Sequence, residues 1–213
     1  MERGLGTITS SDVEKINTSK YVEKHVVRIN AVVDILDKKL VGLPKGSPVY
    51  KDKYPNAVEI EGVNSSELSN KFRSVAIKLS SGRHLTKDYK QKVLVHETFA
   101  RKNNLKMGDK FRFKTNTMDE NRNKSVETVE LEIVGMFTGE NRKAANFKDE
   151  LYQNIFVTDL DSTRKLNSYP ADGSKDIYND ASFFTHSASQ LNDFIQETKK
   201  NDVNWRKYEL LKN

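Results

Sequence analysis

Apolar and polar positions alternate most cleanly at "KFRFK", residues 110–114, where Phe111 and Phe113 fall on one side and Arg112 and Lys114 on the other. This period of two predicts a half-buried strand. The same period returns in "VETVELEIVGMF", with Val129, Leu131 and Ile133 set against Glu130 and Glu132. Opposite charges on the two segments suit adjacent antiparallel strands. Between and before them, "SVAIKLSSGRHL" predicts a strand and a glycine turn, and "KVLV" a short strand. "HETFARKNNL" predicts a helix with Phe99 and Ala100 facing inward, and "KMGD" a turn in which Gly108 tolerates positive φ.

The flanks are patterned differently. Near the start, Ser10 or Ser11 can cap a helix that has Asp12 and Glu14 at its positive end and Val13 and Ile16 at i, i+3. A strand follows through Val27, Ile29, Ala31 and Val33. Residues 42–56 hold three of the four prolines and predict a loop. "AVEIEGV", 57–63, predicts a strand with its acidic residues outward, and "SSELSNKF" a short helix opened by Ser65 or Ser66. In the last third, "NIFVTDLDSTRKLNS" predicts a strand running into a helix capped by Asp159 or Asp161, and "IYNDASFFTH", 177–186, a strand. "SASQLNDFIQETKKN" predicts an amphipathic helix with Leu191, Phe194 and Ile195 on its apolar face, and "VNWRKYELL" a closing strand. Both ends thus carry a serine-initiated helix beside a strand. The termini are expected to fold together as one α/β unit, with a β-rich segment of about residues 80–139 inserted between them.

Composition narrows the function classes. The chain has 213 residues, 36% hydrophobic and 31% charged, long enough for one domain or two small ones but lean in core-forming residues. Cysteine is absent, which excludes disulfides and thiolate metal sites. The net charge of +6 is dispersed in mixed-sign sequence, with no arginine-rich tract or recognisable nucleic-acid motif, so no nucleic acid partner is expected. No apolar run exceeds three residues, whereas a membrane span needs roughly 20. "MERGLGTITSSD" lacks the apolar core of a secretory signal, and residues 1–6 read as a linker or added segment.

Catalytic chemistry is sparse. His96-Glu97 opens like the zinc-peptidase motif H-E-x-x-H, but the position of the second ligand is Ala100. The other histidines, His25, His84 and His186, lie in unrelated segments without metal-ligand spacing. There is no G-x-S-x-G elbow and no phosphate-binding G-x₄-G-K-[ST] loop. Catalytic residues, bound metal and cofactors are all expected to be absent, and the chain is expected not to be an enzyme.

The run "SGRHLTKDYKQKVLVHETFARKNNLKMGDKFRFK", followed by "VELEIVGMF", resembles the extracellular or periplasmic core domain of MacB-like, FtsX-like ABC transporter permeases. Gly82, Arg83, Glu97, Ala100, Gly108, Asp109 and Gly135 carry the resemblance as structural motif positions, together with Leu94, Val95, Leu105, Phe111, Ile133 and Val134. The asparagine- and lysine-rich composition is similar to the Gram-positive branch. The resemblance implies an α+β fold: a Porter-like α/β subdomain from residues 1–79 and 140–213, and an inserted β-rich Sabre-like subdomain from 80–139. It also implies an ectodomain on the outer face of the cell membrane, with both termini at the membrane. Its partners would be the membrane-embedded remainder of the permease, an ABC ATPase that binds the ATP, and a second permease copy or paralogue. The domain would couple ATP hydrolysis to export or mechanotransmission. An extracellular sensor module for an antimicrobial peptide or cell-wall ligand is the other function that the sequence leaves open.

Overall fold

The computed structural model describes residues 8–47, 55–115, 117–118, 124–141, 145–201 and 203. In chain order the elements are β1 (Ile8–Thr9), α1 (Ser10–Asn17), β2 (Val22–Leu36), β3 (Ala57–Val63), α2 (Asn70–Arg73), β4 (Ile77–Gly82), β5 (Lys92–His96) and α3 (Glu97–Lys102). They continue with β6 (Lys110–Lys114), β7 (Thr117–Met118), β8 (Lys124–Ser125), β9 (Thr128–Gly139), β10 (Phe156–Asp159), α4 (Leu160–Leu166), β11 (Ile177–Tyr178), β12 (Asp180–Thr185) and α5 (Leu191–Lys199). The closing strand expected at "VNWRKYELL" lies outside the described residues beyond Val203, as do the middle of the 42–56 loop and most of the 116–125 connection.

Eight strands form one mixed sheet, in the order β12-β2-β3-β10-β5-β9-β4, with β6 paired to both β2 and β9. That double pairing closes a ring: β2–β3, β3–β10, β10–β5, β5–β9, β9–β6 and β6–β2 are all hydrogen-bonded neighbours. The result is a small barrel whose interior is filled by side chains. Alternate residues point inward: Ala31, Val33 and Ile35 from β2, Val58 and Ile60 from β3, Val93 and Val95 from β5, and Val129, Leu131 and Ile133 from β9. Phe111, Phe113 and Phe156 complete the lining, and Phe99 of α3 packs edge-on against Phe156 with ring centroids 4.8 Å apart. β6 and β9 are adjacent antiparallel strands as expected, with Arg112 opposite Glu130.

Two strands outrun the barrel. The first half of β2 leaves it to pair with β12, and the second half of β9 parts from β6 and pairs with β4 while it stays bonded to β5. The outer faces of β3, β5, β9 and β10 are covered as well, by a second core of Val63, Leu94, Val134, Phe137 and Val157 under Leu68, Phe72, Leu85 and Tyr89. Burial on both faces explains why β5 and β10 read as the apolar runs "VLV" and "IFV" rather than alternating. At the chain ends, α1 and α5 pack together through Ile16, Phe194 and Ile195. No helix of the described residues is long and apolar enough to cross a membrane.

Local signals were displaced in three places. The cap of α1 is Thr9 rather than Ser10 or Ser11: its side chain accepts from the Asp12 N–H, and Asp12 reaches back to the Thr9 N–H at 3.0 Å. This reciprocal pair satisfies two of the orphan donors of the first turn. Ser66 opens no helix. It is buried, its Oγ accepts from Leu85 N at 2.9 Å and lies 2.9 Å from His84 Nδ1, and α2 begins only at Asn70. Glu61, expected outward on a wet face, is only 5% exposed because Lys71 closes over it as its ion-pair partner.

Candidate functional site

Five of the motif positions meet on one short stretch of β9. The pairing of β5 with β9 shifts between Val93↔Ile133 and Leu94↔Gly135, which leaves Val134 as an extra, bulged residue. A turn built from 106–109 fastens to one side of this bulge. Asp109 Oδ2 accepts from Lys106 N at 2.9 Å, and Gly108 adopts φ +85. Gly108 N then donates to Ile133 O, and Ile133 N to Asp109 O, both at 2.9 Å. On the other side β4 ends at Gly82, with φ +79, and Arg83 N donates to Val134 O at 3.1 Å.

Side chains are excluded where these backbones converge. A Cβ on Gly82 would stand 2.3 Å from Val134 O and 2.4 Å from Met107 Cε. On Gly135 it would stand 2.7 Å from Leu94 Cδ2 and 2.9 Å from Arg83 O. Glu97 and Ala100 are not part of this junction. They sit on α3, where Ala100 is buried in the barrel core and its carbonyl accepts from Leu105 N at 2.9 Å.

The junction leaves an open depression of about 480 Å³, lined by Gly82, Arg83, Met107, Gly108, Glu132, Ile133 and Val134. Glu132 Oε2 accepts from Lys92 Nζ at 2.7 Å, and this bond, with the fields of Lys92, Lys110 and Arg83, holds its carboxyl below the usual glutamate range. The Arg83 guanidinium stands 5.3 Å from the Tyr89 ring centre. Met107, Glu132 and Lys92 are additions to the sequence-read set. Their signal was faint, an apolar residue left at the tip of the polar turn "KMGD" and two opposite charges forty residues apart.

His96 is fully engaged as a structural residue. Its Nδ1 accepts from Thr98 N at 3.0 Å as the cap of α3, so Nε2 carries the proton and donates to Gly139 O at 3.0 Å. Burial pushes its imidazole below the ordinary range, against the opposing effects of the Gly139 bond and Glu97. Both ring nitrogens are used, and the position one turn on is a buried alanine. No group of histidines and carboxylates among the described residues could hold a metal ion.

A closed mixed barrel with helices at its rim is a fold also seen in the extracellular domain of an ABC-type transporter. The chain superposes on the extracellular domain of the noncanonic ABC-type transporter YknZ from Gram-positive bacteria with a TM-score of 0.52 at 11% identity, over 96% of this chain and 89% of that one. The periplasmic region of MacB from Actinobacillus actinomycetemcomitans is a fainter likeness, with a TM-score of 0.46 at 14% identity over 91% of this chain and 73% of that one. In sequence, the chain is 29% identical over 158 residues to the uncharacterized ABC transporter permease YclI of Bacillus subtilis (strain 168). That match takes in 72% of this chain but 31% of the relative, so the chain spans about a third of the permease it resembles. No protein-family model matches the chain. The resemblance to a MacB-like, FtsX-like permease ectodomain and the expected α+β class are both borne out by the YknZ fold together with the permease similarity.

Proposed function

We propose that this chain is the non-catalytic extracellular domain of an ABC transporter permease. ATP is hydrolysed on a separate cytoplasmic subunit or domain. The resulting motion passes through the membrane-embedded remainder of the permease, and the domain moves against a second permease copy or paralogue to drive export or mechanotransmission. Residues 1–79 and 140–213 act in this reading as the Porter-like body and 80–139 as the Sabre-like insertion, joined by the pairing of β6 on β2 and of β5 on β10. Nothing in such coupling requires a chemical site.

The observation that carries the reading is the similarity of 158 residues to a permease in a chain that has the YknZ ectodomain fold. An epitope inserted between the exposed Ala171 and Asp172 of the full-length protein tests it in cells of the source organism. The expected outcome is antibody labelling of intact cells. Labelling only after the membrane is permeabilised would place the domain inside and overturn the proposal.

A further inference from the structure

The depression over the β9 bulge has a charge surplus that the fold does not consume. Arg83, Lys92 and Lys110 all act on Glu132, and with Glu130 beside Lys110 three cations face two carboxylates. Lys92 is bound to Glu132, and Lys110 stands 3.6 Å from Glu130 on the exposed face of the β6–β9 pair. Arg83 is exposed, and it has no carboxylate within ion-pair distance among the described residues. Met107, a large apolar side chain left 39% exposed, borders the same space.

The depression also lies at the end of an open strand. β4 is the last strand of the sheet and, among the described residues, pairs only with β9. Lys78, Ser80 and Ser81 along it are exposed, and it runs directly into Gly82 and Arg83. A bare edge presents a row of backbone donors and acceptors that an extended segment can complete. The lysine on this edge opposes pairing with a second copy of the same strand and favours an acidic one.

We propose that the β4 edge and the adjoining depression form a docking site for an extended acidic segment of a partner polypeptide. The segment pairs along β4, places a carboxylate at Arg83 and Lys110, and lays an apolar side chain on Met107. A polypeptide is the one ligand that uses all three features. A phosphate polymer or an anionic lipid surface would use the cations and leave the strand edge and the thioether idle. The docking site does not depend on membrane placement, so it can fail while the permease reading stands, and the reverse.

The test uses the ¹⁵N-labelled 213-residue chain and a capped synthetic peptide of alternating glutamate and valine. Expected are amide shifts confined to 77–83, 106–110 and 132–134, weakening as added salt shortens the Debye length from about 10 Å at 0.1 M toward about 3 Å at 1 M. Arg83→Glu and, independently, Lys110→Glu should each weaken binding about tenfold, as expected for loss of a charge contact and introduction of a repulsive one. Met107→Ser should also weaken the peptide. Lys110 is exposed and takes no part in the Arg83–Tyr89 contact, so its variant keeps the test open if Arg83→Glu disturbs that contact. The proposal is overturned by shifts scattered over the lysine-rich surface or by variants that bind like the parent. It is equally overturned if inorganic polyphosphate or phosphatidylglycerol vesicles perturb the same amides as strongly as the peptide.

Discussion

At Gly62, α4 lies close against the barrel, and Gly62→Ala probes that packing. A Cβ there would stand 2.1 Å from Thr163 Oγ1, 2.5 Å from Thr163 Cβ and 3.2 Å from Thr163 Cγ2. Carbon atoms in good contact sit ~3.5–4.0 Å apart. Rotating Thr163 could swing the hydroxyl away but leaves its Cβ in place, so α4 would have to retreat by roughly 1 Å. It is poorly placed to do so. Asp159 caps the helix, accepting from Ser162 N, Ser162 Oγ and Lys92 N at 2.9 Å each. Further along, Asn167 Nδ2 donates to Asn30 O at 2.9 Å, and Leu166 is fully buried in the barrel core.

Overpacking against a fixed neighbour costs ~1–3 kcal/mol, and the rigidity of α4 places Gly62→Ala near ~3 kcal/mol. For a chain of this size that lowers Tm by roughly 6–12 °C. Urea unfolding followed by circular dichroism measures the loss. Thr163→Gly alone should cost ~1 kcal/mol or more through helix propensity and its lost hydroxyl bond. In the double variant the new methyl occupies the vacated space, so the two effects should fall short of additivity by at least ~1 kcal/mol. A Gly62→Ala variant within ~0.5 kcal/mol of the parent, or strict additivity of the pair, would refute the close approach.

Two further outcomes follow from buried polar groups. His96 has a folded pKa below its ordinary value of 6.5, so its contribution is complete above that pH and is lost as pH falls through 6.5 toward the depressed value. The urea midpoint should therefore be lower at mildly acidic pH than at neutral pH. His96→Asn, which keeps a cap acceptor but does not titrate, should flatten the slope without abolishing it, because burial lowers His25 and His84 too. Arg164 Nη2 lies 2.7 Å from the fully buried carboxylate of Asp176, which also accepts from Tyr178 Oη at 3.1 Å. Asp176→Asn should destabilise by ~3 kcal/mol, the lower end for breaking a buried pair. Burial and then the Asp176 charge push the Tyr178 phenol up to about 12, so ultraviolet titration should show one late tyrosine that ionises earlier in this variant. An unchanged titration would contradict the contact.

What the sequence makes legible is local. The period-two runs of β6 and β9, the Asp159 cap, the Gly108 turn and the inward Phe99 and Ala100 depend on residues within a few positions of one another, and each stands where its pattern puts it. Closure of the barrel is not legible in the same way. Its parallel pairs, β3 with β10 and β5 with β9, join segments separated by nearly half of the chain or by a helix and three strands, and no turn residue announces either. Glu61 illustrates the same blindness on a smaller scale. Its alternation with Ile60 predicts an exposed carboxylate, and only the arrival of Lys71 and Arg28 from other segments makes burial tolerable. The candidate site was half visible. Its glycines and Asp109 stand out in sequence, while Lys92, Met107 and Glu132 acquire meaning only when the bulge draws three segments together.

That convergence gives the motif a physical content. Gly82, Arg83, Gly108, Asp109 and Gly135 answer a single backbone problem: Val134 is an extra residue in β9, and its bulge must be stitched on both sides. The 106–109 turn supplies one stitch at Ile133, and the 82–83 turn supplies the other at Val134. Each stitch brings main chain so near that only glycine fits at 82 and 135, and the turns need positive φ at 82 and 108. Beyond this point β9 has parted from β6 and carries β4 on that side, while it stays paired with β5. The bulge is therefore where β9 passes from its pairing with β6 to its pairing with β4, whose other edge is unpaired among the described residues. β4 is tied to β9 by their ladder over 135–139 and by the Arg83 N bond to Val134 O at its end. Five of the residues that look like a signature in sequence are the ones that stitch this bulge, and the surface beside them is the one that carries Arg83.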